Sequence, residues 1–198
     1  MQDTLPPSVK AFFPDAIPIW PKGRQPSPRL NRINQIAIVV ADLDTAIEHY
    51  GAAYGWAPFY KGVGVGRTTY QGQDTHYELA LAFALVGDIE IELVQPLSGK
   101  TPYHDHLAAH GEGVFHLRLS VDDIEPHLEH LGSHGITPIF GWRESHWINV
   151  NLSEKHGLRT ELILSDERLH RVLQRIGRQI IPEKAAQGEA NEKQEARA

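Results

Sequence analysis

Twelve histidines in a chain of 198 residues, with no cysteine at all, set the terms of the available chemistry. Imidazole suits metal binding and proton transfer near neutral pH. The missing thiols remove a disulfide scaffold, a thiolate zinc site, an iron–sulfur cluster and a cysteine nucleophile together. Two glutamates stand out beside the histidines: Glu92 in IEIELVQ and Glu161 in LRTELIL. Each sits in an apolar run that reads as a strand, where an isolated buried carboxylate is costly. A bound cation removes that objection.

Most of the histidines must be bystanders. His106 and His110 in YHDHLAAH share a helix face, but no HExxH motif and no third ligand accompany them, so a solvated face is the expectation. His127, His130 and His134 line one side of a helix, opposite much of its apolar stripe, and are expected to face water. The GVGVG run at Gly62–Gly66 lacks the Lys-Ser/Thr of a phosphate loop and the GxGxxG spacing. It reads as a flexible loop near the mouth of a cleft. Trp142, Trp147 and Phe83 are expected in the core or on a pocket wall, and no Ser-His-Asp arrangement can be placed.

The elements that must position these groups come from an internal repeat. QIAIVVADLDTAIEHYGAAYG from Gln35 aligns with HLRLSVDDIEPHLEHLGSHG from His116 at a constant offset of 81 residues. Each copy opens on an alternating strand, passes an Asp at the N-cap position (Asp42, Asp123) and continues as a helix. Leu43, Ala46, Ile47 and Tyr50 in the first helix, and Ile124, Leu128 and Leu131 in the second, form buried stripes. Gly55 and Gly135 stand where the helices stop. Further strand runs follow: YELALAFAL, a turn at Gly87-Asp88 and IEIELVQ in the first copy, then TPIFGW, HWINVNL and LRTELIL in the second. The reading is β-α-β-β-β written twice, an α+β fold with modules at about 32–98 and 113–165.

Outside this 32–165 unit, residues 1–31 are rich in proline and show no helical or strand period, so they read as an extended arm. Leu169, Val172, Leu173 and Ile176 recur at helical spacing and imply a C-terminal helix over 166–182. Residues 183–198 carry no aromatic and no apolar face, and read as a disordered, solvated tail. Nineteen Lys and Arg against 25 Asp and Glu give a formal net charge of −6, which removes the usual drive for nucleic-acid or anionic-membrane binding. Neither a membrane-spanning run nor a signal-peptide pattern is evident, so the expected location is cytoplasmic.

With these residues in view, the chain resembles the vicinal-oxygen-chelate superfamily, which includes glyoxalases, bleomycin-resistance proteins and dioxygenases, over roughly residues 33–165. The stretch IELVQPLSGKTPYHDHLAAHGEGVFHLRLSVDDIEPHLEHLGSHGI particularly resembles methylmalonyl-CoA epimerases. The resemblance implies a cupped, barrel-like mixed sheet around one divalent metal ion (Zn, Co, Ni or Mn). It implies as ligands Gln35, Glu92, His116 and Glu161. The repeat agrees: Gln35 and His116 occupy equivalent positions, and Glu92 and Glu161 each lie in an E-L-[VI] run.

An epimerase has His where this chain has Gln35, and the order Gln, Glu, His, Glu is that of eukaryotic-type glyoxalase I. Phe115 also replaces a residue that is often His in the epimerases. The surrounding segment favours a metal-dependent isomerase that moves a proton beside a carbonyl, with Glu161 as first choice for the base and Glu92 as its partner. A glyoxalase I-type lyase is the alternative; an extradiol dioxygenase and a metal-free small-molecule binding protein are further ones. Glu78 is expected to point away from the cleft unless a bulge intervenes, because the Gly87-Asp88 turn sets Phe83 opposite Glu92. The resemblance also implies a homodimer acting on a small-molecule substrate.

Overall fold

The computed structural model describes residue 30, residues 32–143 and residues 147–165. Most of the proline-rich arm, the C-terminal helix and the tail lie outside the described residues.

The first repeat forms β1 (Ile33–Val39), α1 (Leu43–Tyr54), β2 (Tyr60–Tyr70), β3 (Gln73–Val86) and β4 (Ile89–Ser98). After α2 (Pro102–His110), the second forms β5 (Gly113–Val121), α3 (Glu125–Ser133), β6 (Pro138–Arg143), β7 (Trp147–Leu152) and β8 (Thr160–Leu164). All eight strands join one mixed sheet in the order β2-β3-β4-β1-β5-β8-β7-β6. Reading outward from the centre, the two halves have the same order. β1 pairs with β4 in parallel and β5 with β8 in parallel, while β1 and β5 meet antiparallel. Across that seam Ile36 pairs with Leu117, its own equivalent in the repeat, so a pseudo-twofold axis passes between them. The outer strands β2 and β6 approach each other and nearly close the sheet into a barrel.

Three cores follow from strand alternation. One face of the first half packs Ile38, Val40, Ala82, Ile91 and Leu93 against the Leu43 and Ala46 stripe of α1. The matching face of the second half packs Leu119, Val121, Ile148, Val150 and Leu162 around Ile124, with Leu128 and Leu131 of α3 at its margin. Burying each such aliphatic side chain contributes about 1.5–3 kcal/mol. The third core lies inside the barrel, where Val39, Val94 and Leu79 meet Tyr70, Tyr103, Phe115 and Phe140.

The helix caps differ between the copies. Asp42 caps α1, accepting from the Thr45 backbone N–H at 2.7 Å, and α1 stops at Gly55, whose φ of 70° is left-handed. Asp123 does not cap α3. That helix starts after Ile124, which itself has helical backbone angles and makes no side-chain cap bond. The reason is Pro126 in its first turn: a proline has no N–H to satisfy and is preset to a helical φ.

The GVGVG run is not a loop; it lies within β2, paired along its length with β3. Its glycines face Leu81, Leu79 and Tyr77 across the pair Gly62–Leu81, Gly64–Leu79 and Gly66–Tyr77. A Cβ on Gly66 would stand 2.5 Å from the Tyr77 hydroxyl oxygen, and one on Gly64 would stand 3.2 Å from Leu81 Cδ1. Gly64 and Gly66 therefore give space to large side chains on the neighbouring strand, the small-against-large fit of a narrow barrel.

Candidate metal centre

Strand pairing at the pseudo-twofold axis brings the four nominated side chains to the inner face of the barrel. Ala37 pairs with Glu92 on one side and His116 on the other, and Arg118 pairs with Glu161. Around His116 Nε2 stand Gln35 Oε1 at 3.2 Å, Glu161 Oε2 at 3.5 Å and Glu92 Oε2 at 3.8 Å. Gln35 and His116 are each 1% exposed and Glu161 6%, so water does not compensate them. The repeat and the E-L-[VI] runs thus mark residues that the fold does gather.

A bulge makes this possible on β5. The register shifts between Ala37–His116 and Ile38–Val114, leaving Phe115 unpaired. Phe115 in the barrel core and His116 among the donors both lie on the inner face, which strict strand alternation forbids. Phe115 packs against Tyr103 with ring centroids 4.5 Å apart and lies under the Arg159 guanidinium at 4.3 Å. The position is an apolar wall beside the centre.

The two carboxylates differ in their support. Glu161 Oε1 accepts from Asn149 Nδ2 at 2.8 Å and Asn151 Nδ2 at 3.3 Å, which leaves Oε2 turned to His116. Glu92 has no such hydrogen bond among the described residues. Burial first, and then the charge of Glu161, push its pKa up to about 8, against the opposing pull of Arg118. Burial likewise lowers the pKa of His116, although Glu161 opposes it, so its imidazole is neutral. With Gln35 Nε2 bound to Glu90, the Gln35 oxygen is the acceptor and His116 Nε2–H the donor. His116 Nδ1 has no partner among the described residues.

Two acidic groups and a neutral imidazole packed this closely, with an amide oxygen beside them, leave a site short of positive charge. Donors about 2.1 Å from a common ion stand about 3.4 Å apart in a tetrahedral set, close to the three spacings from Nε2. Donor types and charge therefore fit a divalent cation. The side chains are not closed around a single point: among the described residues no three His, Asp or Glu form a ready-made metal cage.

A cavity of about 150 Å³ lies against Glu92 and Glu161, walled by Tyr77, Leu81, Tyr103 and Asn151. It shares Tyr77, Trp142 and Asn149 with an outer cleft of about 560 Å³, which also includes Arg67, His76 and Arg143 and, among the described residues, no carboxylate. Phe83 pairs with Glu92 as expected, and a register shift does occur between Glu78 and Leu79. Glu78 remains exposed, while Leu79 and Leu81 line the cavity. Trp147 packs at the margin of the second-half core. His106 is half-buried with its ring edge-on to Phe115, whereas His110 is exposed. His134 is exposed, and His127 and His130 are half-buried, with His127 Nδ1 2.8 Å from the Asp123 carbonyl.

Sequence reading missed Glu90, Arg118, Asn149, Asn151 and Tyr103. Four of these leave a signal. Glu90 and Arg118 each stand two residues from a nominated ligand, and Asn149 and Asn151 alternate in WINVNL, so each is a polar residue on an apolar strand at the period that faces the site. Tyr103, on a helix, leaves none.

The profile of the Glyoxalase/Bleomycin resistance protein/Dioxygenase superfamily matches residues 34–149. A methylmalonyl-CoA epimerase solved in complex with methylmalonyl-CoA and ammonium is similar to the chain at 26% identity and a TM-score of 0.50, over 70% of this chain and 96% of that one. A variant of the Streptomyces coelicolor methylmalonyl-CoA epimerase, in complex with 2-nitronate-propionyl-CoA, gives the same identity, coverage and TM-score. The methylmalonyl-CoA epimerase from Mycobacterium tuberculosis is similar in fold, at 22% identity and a TM-score of 0.53, over 75% of this chain and 97% of that one. No curated protein sequence matches the chain.

Proposed function

We propose that the chain, which belongs to the glyoxalase/bleomycin resistance protein/dioxygenase superfamily, is a divalent-metal-dependent isomerase that moves a proton beside a substrate carbonyl. The observation that carries this reading is the approach of Gln35 Oε1, Glu161 Oε2 and Glu92 Oε2 to His116 Nε2, at 3.2, 3.5 and 3.8 Å. Gln35, Glu92, His116 and Glu161 would hold the ion, and the ion would supply Lewis-acid polarisation of the carbonyl.

The remaining chemistry belongs to the protein. Glu161 is fixed by two asparagine amides and suits a constant ligand role. Glu92 has no amide clamp among the described residues to hold it in a constant ligand role, so the base role moves to it from Glu161. Its carboxylate takes the proton from the carbon next to the carbonyl, and the electron pair of that C–H bond delocalises onto the carbonyl oxygen. Reprotonation of the carbon completes the isomerisation. The 150 Å³ chamber has room for about five waters' volume, hence for a small acyl group. Arg67, His76 and Arg143 in the outer cleft favour a substrate whose remainder is anionic, and an acyl thioester of the kind seen with the similar epimerases fits both parts.

The Gln, Glu, His, Glu donor set supports glyoxalase I-type lyase chemistry as the second reading, since it uses the same proton transfer. The test is direct. Purified protein should carry close to one Zn, Co, Ni or Mn per chain, and His116→Ala should lose it. The loaded protein should exchange deuterium from D₂O into the α-carbon of a 2-methylacyl thioester. Metal-free protein whose melting temperature ignores added cations would overturn the metal reading. Turnover of a glutathione hemithioacetal without exchange into acyl thioesters would select the lyase.

A further inference from the structure

We infer that Glu90 is a positioning residue, turning the Gln35 amide so that its carbonyl oxygen faces the point on which His116, Glu92 and Glu161 converge. The inference rests on reading that point as a divalent-metal site.

A primary amide presents an oxygen and an NH2 group of nearly the same shape, so its neighbours decide which end points where. Three carboxylates stand around this part of the site: Glu90 meets Gln35 Nε2, and Glu92 and Glu161 face His116 Nε2, which Gln35 Oε1 contacts. Left to Glu92 and Glu161 alone, the Gln35 NH2 would turn inward and place donor hydrogens where a cation must sit. Glu90 prevents this. Its Oε1 accepts from Gln35 Nε2 at 2.6 Å, and Gln35 Oε1 is thereby delivered to the His116 side.

Glu90 is in turn kept an acceptor. Arg118 Nη2 forms an ion pair with the same Oε1 at 2.9 Å, and a guanidinium offers only donors. Arg118 Nε donates to Asn34 Oδ1 at 3.2 Å, and Asn34 Nδ2 donates to Ser120 Oγ. Each link from Ser120 to Gln35 has a single workable direction. Charge also balances locally, because Arg118 offsets Glu90 and leaves the negative charge of Glu92 and Glu161 for the cation. The second half has no counterpart: one residue before the Leu117–Thr160 pair, the position matching Glu90 holds Arg159.

The test titrates Co²⁺ into four metal-stripped chains and follows its visible absorption: wild type, Glu90→Ala, Gln35→Glu, and the double variant. A carboxylate at position 35 presents oxygen whichever way it turns and needs no orienting partner. Glu90→Ala should weaken Co²⁺ binding by about 10–100-fold in the wild-type background, the usual cost of losing an outer-shell partner. In the Gln35→Glu background the same change should cost at least about tenfold less, a difference that a purely structural effect of Glu90 would not produce. Equal losses in both backgrounds, or no loss in the wild-type background, would overturn the inference while leaving the metal reading intact. Wild-type protein that binds no Co²⁺ would overturn both.

Discussion

The two halves of the barrel share strand order, donor positions and a pseudo-twofold axis, yet they support their donors in opposite ways. The second half has the shorter outer strands: β6 and β7 are six residues each, and Asn149 and Asn151 both hold Glu161. The first half has longer strands, of 11 residues in β2 and 14 in β3, and leaves Glu92 without a hydrogen bond among the described residues. Polar support there goes to Gln35 instead, through Glu90 and Arg118. Repeat symmetry thus sets where a donor stands, and the residues that face it on neighbouring strands set what it can do.

The sharpest way to break this comparison is to remove each carboxylate's charge in turn. With metal content verified, Glu92→Gln should cut deuterium exchange by about 10²–10⁴-fold, the usual value of a general base. Glu161→Gln should chiefly lose the metal. A Glu161→Gln protein that keeps its metal and loses exchange, beside a Glu92→Gln protein that keeps both, would reverse the division of roles.

A second probe is the pH dependence of the metal-free protein. The Glu92 pKa is raised from 4.5 to about 8, so across that interval the native state holds a proton that the unfolded chain releases, and stability falls as pH rises. His116, with its pKa lowered from 6.5, gives the opposite slope below that value. Between about pH 6.5 and 8 only the Glu92 effect remains, and it should cost ~1–2 kcal/mol. Thermal melts in chelator should show this loss, and Glu92→Gln should flatten it. A wild-type melting temperature that rises over the same interval would refute the assignment.

The smallest effect compares one strand glycine from each half. A Cβ at Gly141 would stand 2.4 Å from the Asn149 backbone oxygen, and backbone cannot step aside. At Gly66 the obstacle is the far end of the Tyr77 side chain. Gly141→Ala should therefore destabilise by about 2–3 kcal/mol and Gly66→Ala by about 1 kcal/mol, within the usual range for overpacking. Denaturant unfolding giving the reverse order would show that the first half is the stiffer one.

The architecture was legible because an 81-residue repeat displays strand, helix and strand periods twice, and two noisy copies that agree reinforce each other. The exceptions are local. Glycines at alternate positions of GVGVG concealed β2, because glycine weakens the strand signal and its reason for being there, the Tyr77 and Leu81 side chains, lies on another strand. Asp123 matched Asp42 in position, but Pro126 altered the start of α3.

Sequence by itself determined the duplicated fold, the residue types of the donor set and the face of each strand on which Glu92 and Glu161 lie, since these follow from local periodicity and the repeat. Tertiary structure alone decided how the donors are tuned. The Phe115 bulge, the Asn149 and Asn151 clamp on Glu161 and the Glu90 hold on Gln35 all depend on which residues of separate strands fall opposite one another. Register and burial fix those pairings, and hydrogen-bond direction and dielectric then act on them; none of these is a property of a chain read one residue at a time.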